Sequence, residues 1–233
     1  MVFPSQSSKN RKTAVKCLLA LLLVLLCLAS FLADNAIAAD FKLLHSWFLD
    51  DLAAVLNRIG DWPIHTMLGL SVAGVAWCVH RKKLTRLLLT MVLASTLAGI
   101  TVNVVRFSAG RPRPSTQVQD GFYGWQKDGK WIIGQQKYQS FPSAHTATAV
   151  AFGGVALFAG LRYGWLIALF GPLVGCARIY SGAHHFSDVV VATLIGLLFS
   201  RWAWKFAERR WRLKGDAGFQ PGLAADRSAR VLI

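Results

Sequence analysis

The sequence predicts an all-α, polytopic membrane protein. The expected architecture is a bundle of six transmembrane helices, with an external interfacial helix and a long external loop between helices 3 and 4. Two observations support this prediction. Of the 233 residues, 54% are hydrophobic and only 16% are charged, a balance typical of membrane proteins rather than soluble domains. The charges also lie between long uncharged runs, and about 20 apolar residues are enough to cross a bilayer.

Six apolar runs define the predicted spans. The first, "CLLALLLVLLCLASFLA" at 17–33, contains no charged residue. Several of the others are shorter than a full span, so their ends must draw on flanking residues near the membrane interface. These other runs cover 64–79, 87–105, 146–161, 163–177 and 189–200.

The first run could also be read as a secretory signal. It follows a basic segment and precedes Ala36-Ile37-Ala38, which resembles a cleavage site. The run is long for a signal sequence, however, and Asp34 and Asn35 interrupt the pattern before the site. We therefore expect this segment to be retained as the first helix.

The distribution of basic residues predicts the orientation. Most of the 26 lysines and arginines lie before the first run, between the second and third runs, or after the sixth, and such segments stay in the cytoplasm. The sequence thus predicts a basic cytoplasmic N-terminus (1–16), one membrane domain (17–206) and a disordered cytoplasmic tail (207–233) in the cytoplasmic membrane. The net charge of +15 reflects this topology. No nucleic-acid partner is expected, because the charges do not form a basic stripe on a soluble face.

The external side contains two further predicted elements. Apolar residues recur at three- and four-residue steps through 41–59, with charged residues between them, as in an amphipathic helix. This helix could lie in the outer interface, anchored by Trp47 and Trp62, or pack across the mouth of the bundle. The long loop at 106–141 contains "GWQKDGKW", which predicts a hairpin with Asp128-Gly129 at its turn.

Three polar stretches interrupt the apolar pattern, and all three fall on the predicted external side. They are "RFSAGRPRP" at 106–114, "FPSAH" at 141–145 and "ARIYSGAHHFSD" at 177–188. The first, taken alone, could be a basic proline-rich connector. In the second, Ser143 is a preferred N-cap residue, and the free N–H groups of a helix start bind anions. His145 would then lie beside a bound anion.

The third stretch contains two adjacent histidines and an aspartate. His184 and Asp188 are four residues apart, so they would share one face and could hydrogen-bond if the sixth helix began near Gly182 or His184. A carboxylate on one imidazole nitrogen fixes the tautomer and leaves the other nitrogen as a base or nucleophile. His185 would point about 100° away on a helix, and we expect it to have no catalytic part.

Together the stretches predict metal-free chemistry on an anion. The planar forks of arginine suit the oxygens of phosphate. No cluster of carboxylates, or of cysteine and histidine, has the spacing of a metal site. We therefore expect neither metal nor cofactor, with arginine charge taking the place of the cation that usually neutralises a transferring phosphoryl group.

The chain resembles the type 2 phosphatidic acid phosphatase superfamily of integral membrane lipid phosphatases, which is related to vanadium haloperoxidases. The pattern of that family is Lys, six residues, Arg-Pro; then Pro-Ser-Gly-His; then Ser-Arg, five residues, His, three residues, Asp. The corresponding residues here are Arg106 and Arg113-Pro114, then Pro142-Ser143-Ala144-His145, then Ala177-Arg178, His184 and Asp188. Arg106 keeps the charge of the usual lysine. Ala144 keeps the backbone N–H of the usual glycine, whereas Ala177 lacks the hydroxyl of the usual serine.

The resemblance implies a role for each matched residue. His184 would attack phosphorus while Asp188 holds its far nitrogen, giving a phosphohistidine intermediate. His145 would protonate the departing lipid oxygen and then activate a water molecule. Arg111 falls between motif positions and is expected to contact the headgroup or the protein. The groups that would hold the phosphoryl oxygens are Arg106, Arg113, Arg178, Ser143 and the backbone around Ala144.

The implied function is hydrolysis of a phosphomonoester or diphosphate on a membrane lipid, at the outer face of the cytoplasmic membrane. The partners would be the lipid substrate and the bilayer. Two alternatives remain: a phosphotransferase that passes the phosphoryl group to another lipid, and a non-catalytic protein that binds anionic lipid. Undecaprenyl diphosphate, phosphatidylglycerol phosphate, phosphatidic acid and the phosphates of lipid A all remain candidate substrates, and the sequence leaves the oligomeric state open.

Overall fold

The computed structural model describes residues 6–212, and over this range the chain is predominantly helical. The loop between the fourth and fifth helices contains a two-stranded hairpin, β1 (Gln126–Lys127) and β2 (Lys130–Trp131), and a 3₁₀ helix at Gln136–Tyr138. The predicted all-α fold class is confirmed. The helices of the described range are α1 (Gln6–Leu43), α2 (Trp47–Ile59), α3 (Trp62–Cys78), α4 (Lys82–Ala109), α5 (Ala144–Phe158), α6 (Gly164–Ala168), α7 (Phe170–Tyr180) and α8 (Phe186–Arg212).

Three of these helices contain segments long and apolar enough to cross a membrane, namely Thr13–Leu43, Lys82–Ala109 and Phe186–Arg210. Two shorter apolar helical stretches cover Ala144–Phe158 and Gly164–Tyr180. The second of them is divided between α6 and α7 at Leu169. The layout of six spans therefore remains a prediction.

Helix α5 lies at the centre of the bundle, where it packs against α4, α7 and α8. Its middle is rich in small residues that are almost fully buried, which lets the neighbouring backbones approach closely. Gly171 of α7 and Gly196 of α8 both lie against Val150, at distances that leave no room for a Cβ atom. This close packing places the first turn of α5 between the ends of its neighbours.

Helix α1 lies at the edge of the bundle and packs against α7 and α8. Most of its large apolar side chains are exposed on the protein surface, as expected for a helix facing lipid. Its fully buried side chains include two polar ones, Ser30 and Asp34. The helix also runs without a break through 36–38, the position of the cleavage alternative. A buried aspartate in such a helix requires polar partners.

Helix α2 is the predicted amphipathic helix, but it begins at Trp47, whereas the pattern covered 41–59. Helix α1 continues to Leu43, so α2 begins only after Ser46, whose Oγ accepts a hydrogen bond from the N–H of Leu49. Of the residues in α2 only Ala53 is buried, while Phe48, Leu52 and other apolar residues are exposed. The helix packs against α7. Its position in the membrane interface remains a prediction.

The loop between α4 and α5 contains the predicted hairpin. Asp128 and Gly129 both have positive φ angles, of 50° and 73°, as a two-residue type I′ turn requires. The predicted start of the loop at Arg106 is wrong, because α4 continues to Ala109 and Arg106 therefore lies in its last turn. Gly110 then ends α4 in the left-handed conformation, with φ of 61°.

The predicted boundaries of the termini also change. Helix α8 continues to Arg212, so residues 207–212 are helical although the sequence assigned them to the disordered tail. The rest of that predicted tail, 213–233, lies outside the described residues, as do residues 1–5. Helix α1 includes most of the basic N-terminal segment, because it begins at Gln6.

Candidate active site

The three polar stretches meet at one end of the bundle. The backbone N–H of Ser143 donates to the carbonyl of Asp188 (3.3 Å), and the N–H of Ser115 donates to the carbonyl of Gly182 (3.0 Å). These bonds join the loop before α5 to the start of α8 and to the turn before it. Arg106, in the last turn of α4, lines one cavity together with His145. The packing of α4, α5, α7 and α8 thus assembles the residues that the motifs predicted.

His184 lies in the turn between α7 and α8 and is fully buried. Its Nδ1 is 2.6 Å from the carbonyl oxygen of Ser140 but 3.6 Å from Oδ2 of Asp188, too far for a hydrogen bond. The predicted direct bond to Asp188 is therefore absent, because α8 begins at Phe186 rather than at Gly182 or His184. Since a carbonyl only accepts, Nδ1 carries the proton and Nε2 keeps its lone pair.

Asp188 instead organises the backbone around His184. Its Oδ2 accepts hydrogen bonds from the Ser140 hydroxyl (2.5 Å) and from the N–H of His185 (2.8 Å). Asp188 lies in the first turn of α8, and a carboxylate there stabilises the helix start. By holding Ser140, Asp188 positions the carbonyl that sets the tautomer of His184.

The surroundings of His184 keep its imidazole neutral. Burial lowers the pKa of His184 below its usual value because it removes water from the charged form. The nearby carboxylate of Asp188 opposes this change, whereas the positive charges of Arg178 and Arg113 lower the pKa further. Near neutral pH, the Nε2 lone pair is consequently available for nucleophilic attack.

Arg111 is a structural residue at the centre of an ion network. Its side chain is almost fully buried and packs against the rings of Phe31 and Phe122, 5.2 and 5.3 Å from their centroids. All five of its N–H groups donate to side-chain oxygens, which leaves none for a phosphate. The acceptors are Asp120 (3.0 and 2.9 Å), Asp34 (2.8 Å), Ser187 (2.7 Å) and Asp188 (2.8 Å).

The other three arginines of the motifs have the opposite environment. Within residues 6–212, no carboxylate lies within 4.0 Å of the guanidinium of Arg106, Arg113 or Arg178. Each of them has a buried Nε without a hydrogen-bond partner. Burial lowers the pKa of Arg113, and all three charges act on His145. Partly buried cations that no carboxylate contacts are costly, so this cluster is suited to binding an anion.

The start of α5 has the predicted local structure. Ser143 is the N-cap residue, and its Oγ accepts from the N–H of Thr146 (3.4 Å). Helix α5 begins at Ala144, and the first N–H groups of a helix have no acceptor within it. Ser143 itself is fully buried. Binding of phosphate by its hydroxyl and by the N–H groups near Ala144 stays a prediction.

A cavity of about 410 Å³ opens beside His145, between α3, α4 and α5. Apolar groups form one part of its wall and charged groups the other, an arrangement that can receive the lipid end and the headgroup of one molecule. His145 is partly exposed, and its Nε2 lies 3.5 Å from Oδ1 of Asp61. Residues that line the cavity include Asp61, Trp62, Ile100, Arg106, Ala144 and His145.

Several residues of the site were not foreseen from the sequence. Ser140 and Asp61 carry no motif signal, because their contacts join segments that are distant in the chain. Asp34 was noted only as an interruption of the signal pattern, although a charge at the end of an uncharged run requires a polar partner. His185 contacts the loop before α5, where its Nε2 donates to the carbonyl of Pro112 (3.2 Å), and its lack of a catalytic part stays a prediction.

One group of described residues could hold a cation. The ligand atoms of Asp34, Asp120 and His185 lie within 4.8 Å of one another. Arg111 already donates to both carboxylates, and it lowers the pKa of Asp120 by hydrogen bonding. A metal would have to displace this guanidinium, so the arginine accounts for the cluster without a cation.

Comparisons place this geometry among known proteins. Residues 83–212 match the family model described as the PAP2 superfamily, a range that includes all three polar stretches. The chain is 44% identical over 68 residues to an undecaprenyl-diphosphatase of Bacillus subtilis, covering 28% of this chain and 35% of the relative. It is 27% identical over 160 residues to a lipid A 1-phosphatase of Rhizobium johnstonii, covering 64% of each. The matches thus span about a third to two thirds of the length of these relatives.

Two solved structures share the fold. The first is a transmembrane PAP2-type phosphatidylglycerolphosphate phosphatase from Bacillus subtilis, with a TM-score of 0.61 over 82% of this chain and 94% of that chain. The second is LpxE of Aquifex aeolicus, with a TM-score of 0.53 over 74% of this chain and 94% of that chain. Both are 22% identical to this chain, so the likeness establishes the fold and leaves the substrate open.

Proposed function

The chain belongs to the PAP2 superfamily, and on this premise we propose that it is a lipid phosphatase that hydrolyses a phosphomonoester or diphosphate on a membrane lipid. The observation that carries the proposal is the contrast among the arginines. Arg111 has all its donors occupied by protein oxygens, while Arg106, Arg113 and Arg178 keep unpaired donors around two histidines. Three such forks match the three non-bridging oxygens of a phosphoryl group.

In the first step, Nε2 of His184 attacks phosphorus. A P–N bond forms, the bond from phosphorus to the lipid oxygen breaks, and its electron pair goes to that oxygen, which takes a proton from His145. The Ser140 carbonyl keeps the Nδ1 proton in place. Asp188, 3.6 Å from the same nitrogen, stabilises the positive charge that develops on the ring.

In the second step, water releases the phosphate. His145 is now neutral and accepts a proton from a water molecule whose oxygen bonds to phosphorus. The P–N bond breaks, its electron pair returns to Nε2 of His184, and inorganic phosphate leaves. Both protonation states needed for the next cycle are thereby restored. Arg106, Arg113 and Arg178 hold the phosphoryl oxygens through both steps, with the N–H groups at the start of α5 as further donors.

The proposed substrate class follows from the position of the cavity. It adjoins His145, the proton donor to the leaving group, and it opens between helices that include the apolar α4. A lipid could therefore place its phosphate among the arginines while its chains stay in the bilayer. The matched relatives are named for undecaprenyl diphosphate and for the 1-phosphate of lipid A, which supports a lipid phosphate or diphosphate. We further propose that both termini are cytoplasmic and that the site faces the exterior.

The test is phosphate release by purified His184→Ala and His185→Ala proteins, assayed on a panel of lipid phosphates without an acceptor lipid. We expect His184→Ala to lower the rate by about a thousandfold or more, as loss of a nucleophile does. His185→Ala should retain activity within about tenfold. Near-normal turnover by His184→Ala would refute the mechanism. Activity that requires a second lipid would replace hydrolysis with phosphotransfer.

A further inference from the structure

Asp61 lies immediately before α3, at the mouth of the cavity beside His145. Its backbone is extended, as in an N-cap residue, but its side chain makes no capping bond to α3. Aspartate at this position usually accepts a hydrogen bond from the helix start. Here Oδ1 lies 3.5 Å from Nε2 of His145, and the carboxylate is about half exposed, at 54%. The side chain thus faces the site rather than its own helix.

His145 is surrounded by positive charges, so a carboxylate beside it can stabilise a proton on its ring. The groups that act on it from neighbouring elements are Arg106 from α4, Arg113 from the long loop, Arg178 from α7 and His184 from the turn before α8. Each positive charge among them opposes a proton on the His145 ring. Among residues 6–212, Asp61 is the only residue whose carboxylate lies within 4.0 Å of that ring.

We propose that Asp61 is a positioning residue for His145: its carboxylate keeps the proton on the imidazole nitrogen that serves the leaving lipid oxygen. This inference rests on the proposed function, in which His145 is the proton donor. Because both side chains line the cavity, an oxygen bound there can reach Nε2. Asp61 neither attacks phosphorus nor gives up a proton itself. Its charge also acts on Arg178 of α7, but an effect through Arg178 would slow every substrate alike.

The effect of Asp61 must therefore depend on the leaving group. When an alkyl oxygen departs, it takes the electron pair of the broken P–O bond and needs the proton of His145 at the same time. An aryl oxygen holds that electron pair without protonation, so it needs little help from a general acid. Loss of the Asp61 charge should slow the first reaction far more than the second, whereas a general structural fault would slow both equally.

The experiment compares wild type, Asp61→Asn and the control Asp51→Asn as full-length proteins in detergent. Asp51 is an exposed carboxylate of α2 and does not line the cavity. With dioctanoyl phosphatidic acid, we expect Asp61→Asn to lower kcat about tenfold or more, a part of what general acid catalysis contributes. With p-nitrophenyl phosphate the change should stay within about threefold. Equal losses on both substrates, or a loss no larger than that of Asp51→Asn, would overturn the inference.

The pH profile of kcat on phosphatidic acid gives a second readout that needs no aryl substrate. Without the carboxylate, His145 should lose its proton more easily, so the alkaline limb should move down by about one pH unit. Asp61→Glu, which keeps the charge, should restore most of the rate and the position of the limb. An unchanged limb in Asp61→Asn would contradict the proposed role.

His145→Ala distinguishes failure of this inference from failure of the proposed function. If His145→Ala hydrolyses phosphatidic acid at the wild-type rate, His145 is not the proton donor and the proposed mechanism fails with it. If His145→Ala is inactive on phosphatidic acid while Asp61→Asn behaves like Asp51→Asn, the proposed function stands and only the role of Asp61 is refuted.

Discussion

Arg111 and Arg113 are two residues apart in one loop, yet the structure uses them in opposite ways. Arg111 is surrounded by three carboxylates, those of Asp34, Asp120 and Asp188. Arg113 has no such partner in the described range, and its Nε is buried and unpaired. The same side-chain chemistry therefore stabilises an ion network at the first position and leaves a cation available for an anion at the second.

This contrast predicts opposite effects for two matched substitutions. Arg111→Met leaves buried carboxylates without their cation, so we expect it to cost about 3–5 kcal/mol of stability and to lower Tm by about 10 °C or more. Arg113→Met removes one of three mutually repelling charges, so Tm should remain unchanged or rise. Phosphate release should be lost. Thermal unfolding and phosphate release, measured on the same preparations, provide the comparison. A large fall in Tm for Arg113→Met would show that this arginine is structural as well.

At the scale of single elements, the end of α4 determines where the motif arginines of this segment lie. Helix α4 brings Arg106 to its last turn, and Gly110 then reverses the chain with φ of 61°. A Cβ at Gly110 would collide with the carbonyl oxygen of Gly124, which lies on the far side of the loop. The glycine therefore permits both the left-handed turn and the close approach that brings Arg111 and Arg113 back over the bundle.

We expect Gly110→Ala to destabilise the loop. Left-handed backbone costs a residue with a Cβ about 1–2 kcal/mol, and the collision with Gly124 adds to this, so Tm should fall by about 5 °C or more. Gly74→Ala in α3 is the matched control, because its Cβ would meet no atom within 4 Å. That change should leave Tm unchanged or slightly raised, since alanine favours a helix. Equal Tm values for the two variants would mean that the turn relaxes without cost.

At the scale of the whole molecule, the site depends on helices that contribute no motif residue. Asp34 of α1 accepts hydrogen bonds from Arg111 (2.8 Å) and from the N–H and hydroxyl of Ser187 (2.7 and 2.6 Å). Asp61, before α3, faces His145. The first helix is therefore tied to the site by a buried ion network although its surface is mostly apolar.

The orientation of the bundle can be tested by labelling with a membrane-impermeant maleimide. Gln126→Cys places a thiol on the exposed hairpin of the loop that contains Arg113, and Arg81→Cys places one at the turn between α3 and α4. We expect Gln126→Cys to react in intact cells and Arg81→Cys to react only after permeabilisation, because basic segments stay in the cytoplasm. The reverse pattern would place the site on the cytoplasmic side. Both substitutions are made after replacing the native thiols Cys17, Cys27, Cys78 and Cys176.

The sequence by itself determined the all-α membrane class, the hairpin at Asp128-Gly129 and the Ser143 cap. These features depend on hydropathy and on contacts between residues that are close in the chain, and both can be read from the order of the residues. The motif spacing also identified His184, His145 and the three arginines that no carboxylate contacts as candidates, because the resemblance compares residues in their order along the chain. Their catalytic roles remain predictions that the substitutions above test.

Only the tertiary structure decided which atoms meet. His184 bonds to the carbonyl of Ser140, 44 residues away, and Arg111 bonds to Asp34 and Asp188, each 77 residues away. A start of α8 at Phe186 rather than at Gly182 or His184 was enough to separate His184 from Asp188. The physical reason is that such pairings result from how helices distant in sequence pack and where each one begins, and a local pattern specifies neither.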